Sequence, residues 1–121
     1  MSDPKNLGPA GEDIAVSYLE SKGYRIIKKN WRAGKLEIDI IAENREFIVF
    51  TEVKTRSENF YVHPADAVTR AKQKLIVLAA DSFIKWNNID KESRFDVITV
   101  IVKPDSHDID HIENAFYPTL R

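Results

Sequence analysis

The sequence predicts one α/β domain with the element order α-β-β-β-α-β-β. Three observations carry this. Apolar residues recur at helical spacing around residues 14–19 and again along 64–86. Two β-branched runs, 37–43 and 46–55, flank a short polar turn. A nearly continuous apolar run, 95–102, follows the second helical stretch.

The elements follow in chain order. Leu7, Gly11, Ile14, Ala15, Tyr18 and Leu19 share one helical face, and Lys22-Gly23 reads as the helix end, with glycine as the residue past the cap. Residues 24–31 read as a strand, with a Trp31 suited to the core, and 32–35 as a turn around Gly34. The polar turn Glu43-Asn44-Arg45-Glu46 joins 37–43 and 46–55 into an antiparallel hairpin. A loop over 56–63 leads to Pro64, well placed to open a long helix. Val68, Leu75, Ile76, Ala79, Phe83 and Trp86 mark that helix's expected buried face. The run 95–102 should return parallel to 46–55 through a right-handed crossover. Residues 110–117 are expected to add a short edge strand, so the core spans about 7–103 and the segment 104–121 is edge strand or tail.

Charged residues inside apolar strands cost free energy to bury unless something compensates for them. Asp39 lies in Glu37-Ile38-Asp39-Ile40-Ile41, and Glu52 and Lys54 lie in Phe50-Thr51-Glu52-Val53-Lys54-Thr55. The period of a strand puts Glu52 and Lys54 on one face, roughly 6–7 Å apart. A regular register counted from the turn puts Asp39 beside Glu52. Magnesium takes a few carboxylate oxygens and keeps several waters. Asp39 and Glu52 are therefore candidate metal ligands, and Lys54 a candidate for orienting a water or offsetting charge on a phosphate. The plain alternative is a surface hairpin with an ordinary Glu–Lys pair, worth little.

A chain of 121 residues is a typical single-domain length and buries a sizeable core. Composition is that of a soluble globular protein, no apolar run is long enough to span a membrane, and no signal pattern opens the chain. Cysteine is absent, which excludes disulfides and thiolate metal sites, so cytoplasmic residence is the default expectation. No glycine-rich phosphate loop and no Ser-His-Asp or Cys-His arrangement is evident.

The net charge of −1 is not that of a strongly basic DNA-binding domain. Its distribution is uneven. Residues 22–35 carry Lys22, Arg25, Lys28, Lys29, Arg32 and Lys35 with no acid, and residues 54–74 add Lys54, Arg56, Arg70, Lys72 and Lys74 against Glu58 and Asp66. The basic run is either a phosphate track or a solvated strand with its flanking turns. A track would bind modestly and lose affinity steeply with salt. His107-Asp108-x-Asp110-His111 resembles a metal cluster on paper but is expected to be a solvated polar loop. Asp96 could support the metal site from behind or pair with Arg94 or Arg56, and the structural role is preferred.

Asp…Glu-x-Lys on a hairpin resembles the PD-(D/E)xK restriction-endonuclease-like superfamily. More closely, the chain is similar to the YraN family of uncharacterised bacterial proteins, the UPF0102 group, and at greater distance to archaeal Holliday-junction resolvases. The residues that carry this are Gly8-x-x-Gly11-Glu12-x-x-Ala15-x-x-Tyr18-Leu19, Gly23-Tyr24, Asn30-Trp31-Arg32, Glu37 to Ala42, Glu52 to Arg56, Pro64-x-x-Ala67-Val68, Lys72-Gln73 and Arg94 to Val97. Two places depart from the family pattern: Leu36 replaces a glycine before Glu37, and Tyr61 replaces a glycine after Phe60. Both bear on the approach to the site rather than on its charge.

The resemblance implies a three-layer α-β-α fold with a central mixed sheet. It also implies a nucleic-acid-binding protein that cuts phosphodiesters, expected in DNA, with Mg2+ or Mn2+. Asp39 and Glu52 would hold the ion, the Val53 backbone carbonyl would add a ligand, and Lys54 would assist the attack of water. Glu12 is either an auxiliary metal ligand, by its match to a first-helix Glu of the resolvases, or a first-turn Glu that favours the helix dipole. Lys72 or Gln73 would lend a polar group to the site, as in related nucleases, though solvated helix surface is slightly preferred. Arg32, Lys35 and Arg56 would join them against nucleic acid. Branched or structured DNA and a homodimer follow from the resolvase analogy alone. The rival expectations are a non-catalytic nucleic-acid-binding module and a protein-interaction subunit on the same fold.

Overall fold

A computed structural model describes residues 7–57 and 68–116. Helix α1 (Leu7–Ser21) leads to strands β1 (Arg25–Ala33), β2 (Leu36–Glu43) and β3 (Phe47–Ser57). Helix α2 (Arg70–Trp86) then crosses to β4 (Glu92–Val102), and β5 (His107–Phe116) closes the order. The expected order of elements is therefore observed. The five strands form one sheet in the order β1-β2-β3-β4-β5. It is mixed: β3 and β4 run parallel, as the helical crossover requires, and the other neighbours are antiparallel.

The sheet is covered on both faces, which makes three layers. On one face α1 lays Ala15 and Leu19 against Ile40, Ala42, Ile98 and Val100. On the other, α2 lays Ile76, Ala79, Ala80 and Phe83 against Ile38, Ile48, Phe50 and Phe95. Aromatic rings thread the α2 side: Phe50 stacks on Phe95 at 5.6 Å, Phe95 on Phe116 at 5.2 Å, and Trp31 meets Phe83 edge-on at 5.2 Å. Trp31 thus serves the core, as expected.

Local signals explain the ends of the elements. Gly23 has φ +93°, a left-handed conformation that a glycine adopts without strain, and it stops α1. Asn44 builds the β2–β3 turn by accepting both the Glu46 and Phe47 amides on its side-chain oxygen. Gly11 lets α1 approach β3 closely, since a Cβ there would lie 1.9 Å from Thr55 Oγ1.

Several expectations are corrected. The long helix begins at Arg70, capped by the Thr69 side chain, and not at Pro64, which lies outside the described residues with the loop positions Phe60 and Tyr61. Leu75 and Trp86 are 48% and 69% exposed rather than buried. Residues 75–80 are all apolar, so spacing alone could not choose the inward face, and packing chose Ile76, Val77, Ala79 and Ala80. The segment from His107 is not a solvated loop but edge strand β5.

Candidate active site

The β2–β3 ladder pairs Glu43 with Ile48, Ala42 with Val49, Ile41 with Phe50 and Ile40 with Thr51, and then stops. Its next rung would place Asp39 opposite Glu52. There the Asp39 carboxylate, rather than a backbone carbonyl, accepts the Val53 amide, at 2.8 Å. The two carboxylates therefore come together where the strands begin to part, in the arrangement the hairpin register predicts. Glu52 is only 5% exposed. Its Oε1 contacts the Lys72 ammonium directly and lies 3.7 Å from Lys54 Nζ. Lys72 reaches it from the first turn of α2. Sequence spacing slightly favoured a solvated Lys72, and the structure corrects this: the residue faces the cleft.

These groups open into a concavity of about 440 Å³. Asp39, Glu52, Lys35, Glu37, Thr69 and Lys72 supply its polar wall, and Leu36, Leu75 and Ile76 its apolar wall. Leu36 therefore shapes the approach to the acidic pair. A second concavity of about 460 Å³ lies between α1 and β5, lined by Asp13, Ile14, Ser17, Tyr18, His107 and Ile109. It gathers a single carboxylate, so chemistry rather than size selects the first.

Electrostatics separate the groups. Burial and then the Glu52 charge push the Asp39 carboxyl up to about 7, against the opposing pull of the Val53 amide. Burial and then the Lys72 charge lower the Lys54 ammonium. For Lys72, burial works downward, but the hydrogen bond and charge of Glu52 outweigh it and the pKa rises. A lysine with a depressed pKa is the one suited to accept a proton, and here that is Lys54.

The remaining predicted residues divide. Glu12 is half-buried on α1 and near enough for its charge to raise Asp39 further. Among the described residues, however, no three His, Cys, Asp or Glu are gathered to hold a metal ion. Val53 packs its side chain toward the α1 layer and spends its amide on Asp39. Lys35 lines the cleft. Arg32 pairs with Glu37 at 2.8 Å, Arg56 donates to the Thr55 carbonyl, and Gln73 donates to the Val68 carbonyl at the start of α2.

A second polar constellation lies on the opposite, α1 face of the sheet. Asp96, fully buried, accepts two bonds from Arg94 (2.9 and 2.8 Å) and one from the Asn114 amide (3.2 Å), and meets His111 Nε2 at 2.7 Å. His111 Nδ1 in turn meets the Tyr18 hydroxyl at 3.0 Å, and Arg94 also donates to the Tyr24 hydroxyl. Burial raises the Asp96 carboxyl, but the bonds from His111 and Arg94 outweigh it and hold its pKa down. The network ties β4 to α1 and β5, and the left-handed Asn114 (φ 53°) bends β5 around Asp96. Asp96 thus has the structural role expected, with Arg94 as partner. His111 is a missed participant, because its partner lies fifteen residues upstream on a neighbouring strand.

The match to known proteins extends over nearly the whole chain. Residues 11–100 fit the model of the "Uncharacterised protein family UPF0102". UPF0102 protein BF0634 of Bacteroides fragilis is 48% identical, with 99% of each chain covered. A UPF0102 protein of Parabacteroides distasonis is 43% identical over the full length of both chains, and UPF0102 protein Cpha266_0037 of Chlorobium phaeobacteroides is 46% identical over 95% of this chain and 96% of its own. No described helix is long and apolar enough to cross a membrane. The chain belongs to the UPF0102 family.

Proposed function

We propose that this protein is a metal-dependent endonuclease of the PD-(D/E)xK type, acting on nucleic acid and in the first instance on DNA. One observation carries the reading: a half-buried Asp39 beside a buried Glu52, with Lys72 and Lys54 against Glu52, lines an open cleft. Two carboxylates held together favour a bound cation, and burial first, then the Glu52 charge, lifts Asp39 to about 7. Two carboxylates suit Mg2+ or Mn2+, which complete their shells with water and phosphate oxygens. When bound, such an ion polarises a phosphate and lowers the pKa of a water.

The protein's own groups do the rest. Asp39 and Glu52 would hold the ion, with the Val53 carbonyl as a further oxygen. Asp39 is fixed in orientation by the Val53 amide. Lys54, with its depressed pKa, would receive a proton at Nζ from the attacking water or orient that water. Lys35 and Lys72 on the cleft wall would offset phosphate charge. Leu36, Leu75 and Ile76 keep part of the cleft dry, which strengthens each of these interactions. Structured or branched DNA and a paired dimer remain the finer form of this proposal, resting on the likeness to resolvases.

One observation favours a second reading, a protein-interaction module. Leu75, Leu78 and Trp86 are 48%, 57% and 69% exposed along α2. The deciding experiment is cleavage of labelled single-stranded, duplex, flap and four-way-junction DNA, and of RNA, with Mg2+ or Mn2+ and an EDTA control. Cutting that Glu52→Ala abolishes supports the nuclease. A folded wild type that cuts none of these substrates refutes it and leaves the interaction reading.

A further inference from the structure

Glu52 holds its cations unequally, and the inequality has a chemical use. Its side chain is only 5% exposed, at the base of the cleft. Lys54, two residues along the same strand, lies 3.7 Å from Oε1 with its side chain 19% exposed. Lys72 makes the direct contact with the same oxygen, yet its side chain is 43% exposed. Its backbone is pinned, because its amide donates to the Thr69 cap at 3.2 Å. Only the flexible four-carbon stem needs to move for the ammonium to leave Glu52 for the open cleft.

We propose that Lys72 is a displaceable internal counter-ion of Glu52, which a divalent cation must exchange for itself when it takes that carboxylate. This rests on the nuclease reading of the site and adds a positioning residue to it. One carboxylate oxygen cannot keep two ammonium groups and a divalent ion together, since the three cations repel at contact distance. Of the two lysines, Lys72 has the solvent-facing route out, and Lys54 is held by its strand. The exchange makes metal loading a competition, and it delivers a positive charge to the cleft wall where a phosphate would lie.

Mn2+ binding to the full-length chain, measured by titration calorimetry without nucleic acid, tests this. Lys72→Met, which keeps the stem and removes the charge, is expected to tighten binding up to about fivefold, the scale of a partly exposed ion pair. Lys72→Arg keeps a competing cation and is expected to match wild type. Glu52→Gln is expected to lose binding. As a structural readout, acetylation of the Lys72 amine should rise on adding Mn2+ in wild type and stay unchanged in Glu52→Gln. Lys72→Met that binds no tighter than wild type, while Glu52→Gln loses binding, overturns the exchange and leaves the metal site standing. Glu52→Gln that binds as wild type, or a wild type and Lys72→Met that both fail to bind, overturns the metal site and the exchange together. Binding by Lys72→Met alone supports the exchange in its strongest form.

Discussion

Asp39 stores a pH dependence that can be read as stability. Its carboxyl has an ordinary value of 3.8 and is pushed up to about 7 by burial and by Glu52. The native protein therefore keeps a proton that the unfolded chain releases. Stability from the neutral carboxyl is fully present below about pH 4 and is lost as pH rises through about 7. The interval from 3.8 to about 7, at 1.36 kcal/mol per unit, corresponds to about 4 kcal/mol, of which about 2 kcal/mol falls between pH 5 and 7. Glu43 and Asp96 act in the opposite sense, since their depressed values give stability that is lost on acidification. The Asp39 share must be isolated from theirs.

Asp39→Asn isolates it. Asparagine copies the neutral acid, and its carbonyl can still accept the Val53 amide. Urea unfolding of both proteins, in EDTA at pH 5, 6, 7 and 8, should show a stability difference that moves in favour of the variant by about 2 kcal/mol from pH 5 to pH 7 and flattens toward pH 8. A difference that stays constant over this range would refute the reasoning, whatever its absolute size. The same proton has a second expression. A carboxylate must be ionised to bind a metal, so Mg2+ or Mn2+ affinity should rise toward about pH 7 and then level off.

Three further outcomes follow from the packing. Gly11→Ala gains about 1 kcal/mol of helix propensity but forces α1 off Thr55, so a net loss of roughly 1–2 kcal/mol is expected, partly recovered by adding Thr55→Ala in a double-mutant cycle. Asp96→Ala strands the buried Arg94 and should cost about 3–5 kcal/mol of stability by denaturant titration. Thr69→Ala removes the α2 cap and should cost about 1 kcal/mol, read as a lower urea midpoint at unchanged slope.

What the sequence revealed depended on how local the signal was. The β2–β3 hairpin was legible because β-branched runs and a polar turn fix a register, and one rung beyond its last pair, Ile40 with Thr51, lie Asp39 and Glu52. The parallel return of β4 was legible because a helix must intervene between parallel neighbours. The inward face of α2 was not, since six consecutive apolar residues at 75–80 satisfy any face. Lys72 came into view as a site residue only through the family resemblance; spacing could not place it on Glu52, because its direction follows from how α2 is rotated on the sheet. The Asp96 network was only half legible. Arg94 is two residues away on the same strand, but His111 and Tyr18 arrive from other elements, and nothing in their spacing announces it.

The paired charges of β1 bear on how a substrate would be held. Of the six basic residues at 22–35, Arg25 pairs with Glu43, Lys29 with Asp13 and Arg32 with Glu37. Half of the run that looks like a phosphate track in sequence is thus balanced by carboxylates brought up by α1 and β2. These pairs are exposed and individually weak, so phosphates could compete for them, but only at the cost of leaving acids uncovered. Meanwhile the cleft floor holds Asp39 and Glu52, and its acids are already answered by Lys54 and Lys72 on Glu52 and by Arg32 on Glu37. A polyanion gains little attraction from a floor whose charges are already balanced. Under the proposed function the divalent ion therefore serves recognition before chemistry: it makes the balanced floor positive and, through the Lys72 exchange, adds a cation to the wall. The near-neutral net charge, which by itself argues against nucleic acid, is then what a protein would carry if its phosphate affinity is supplied by the metal rather than by its own surface.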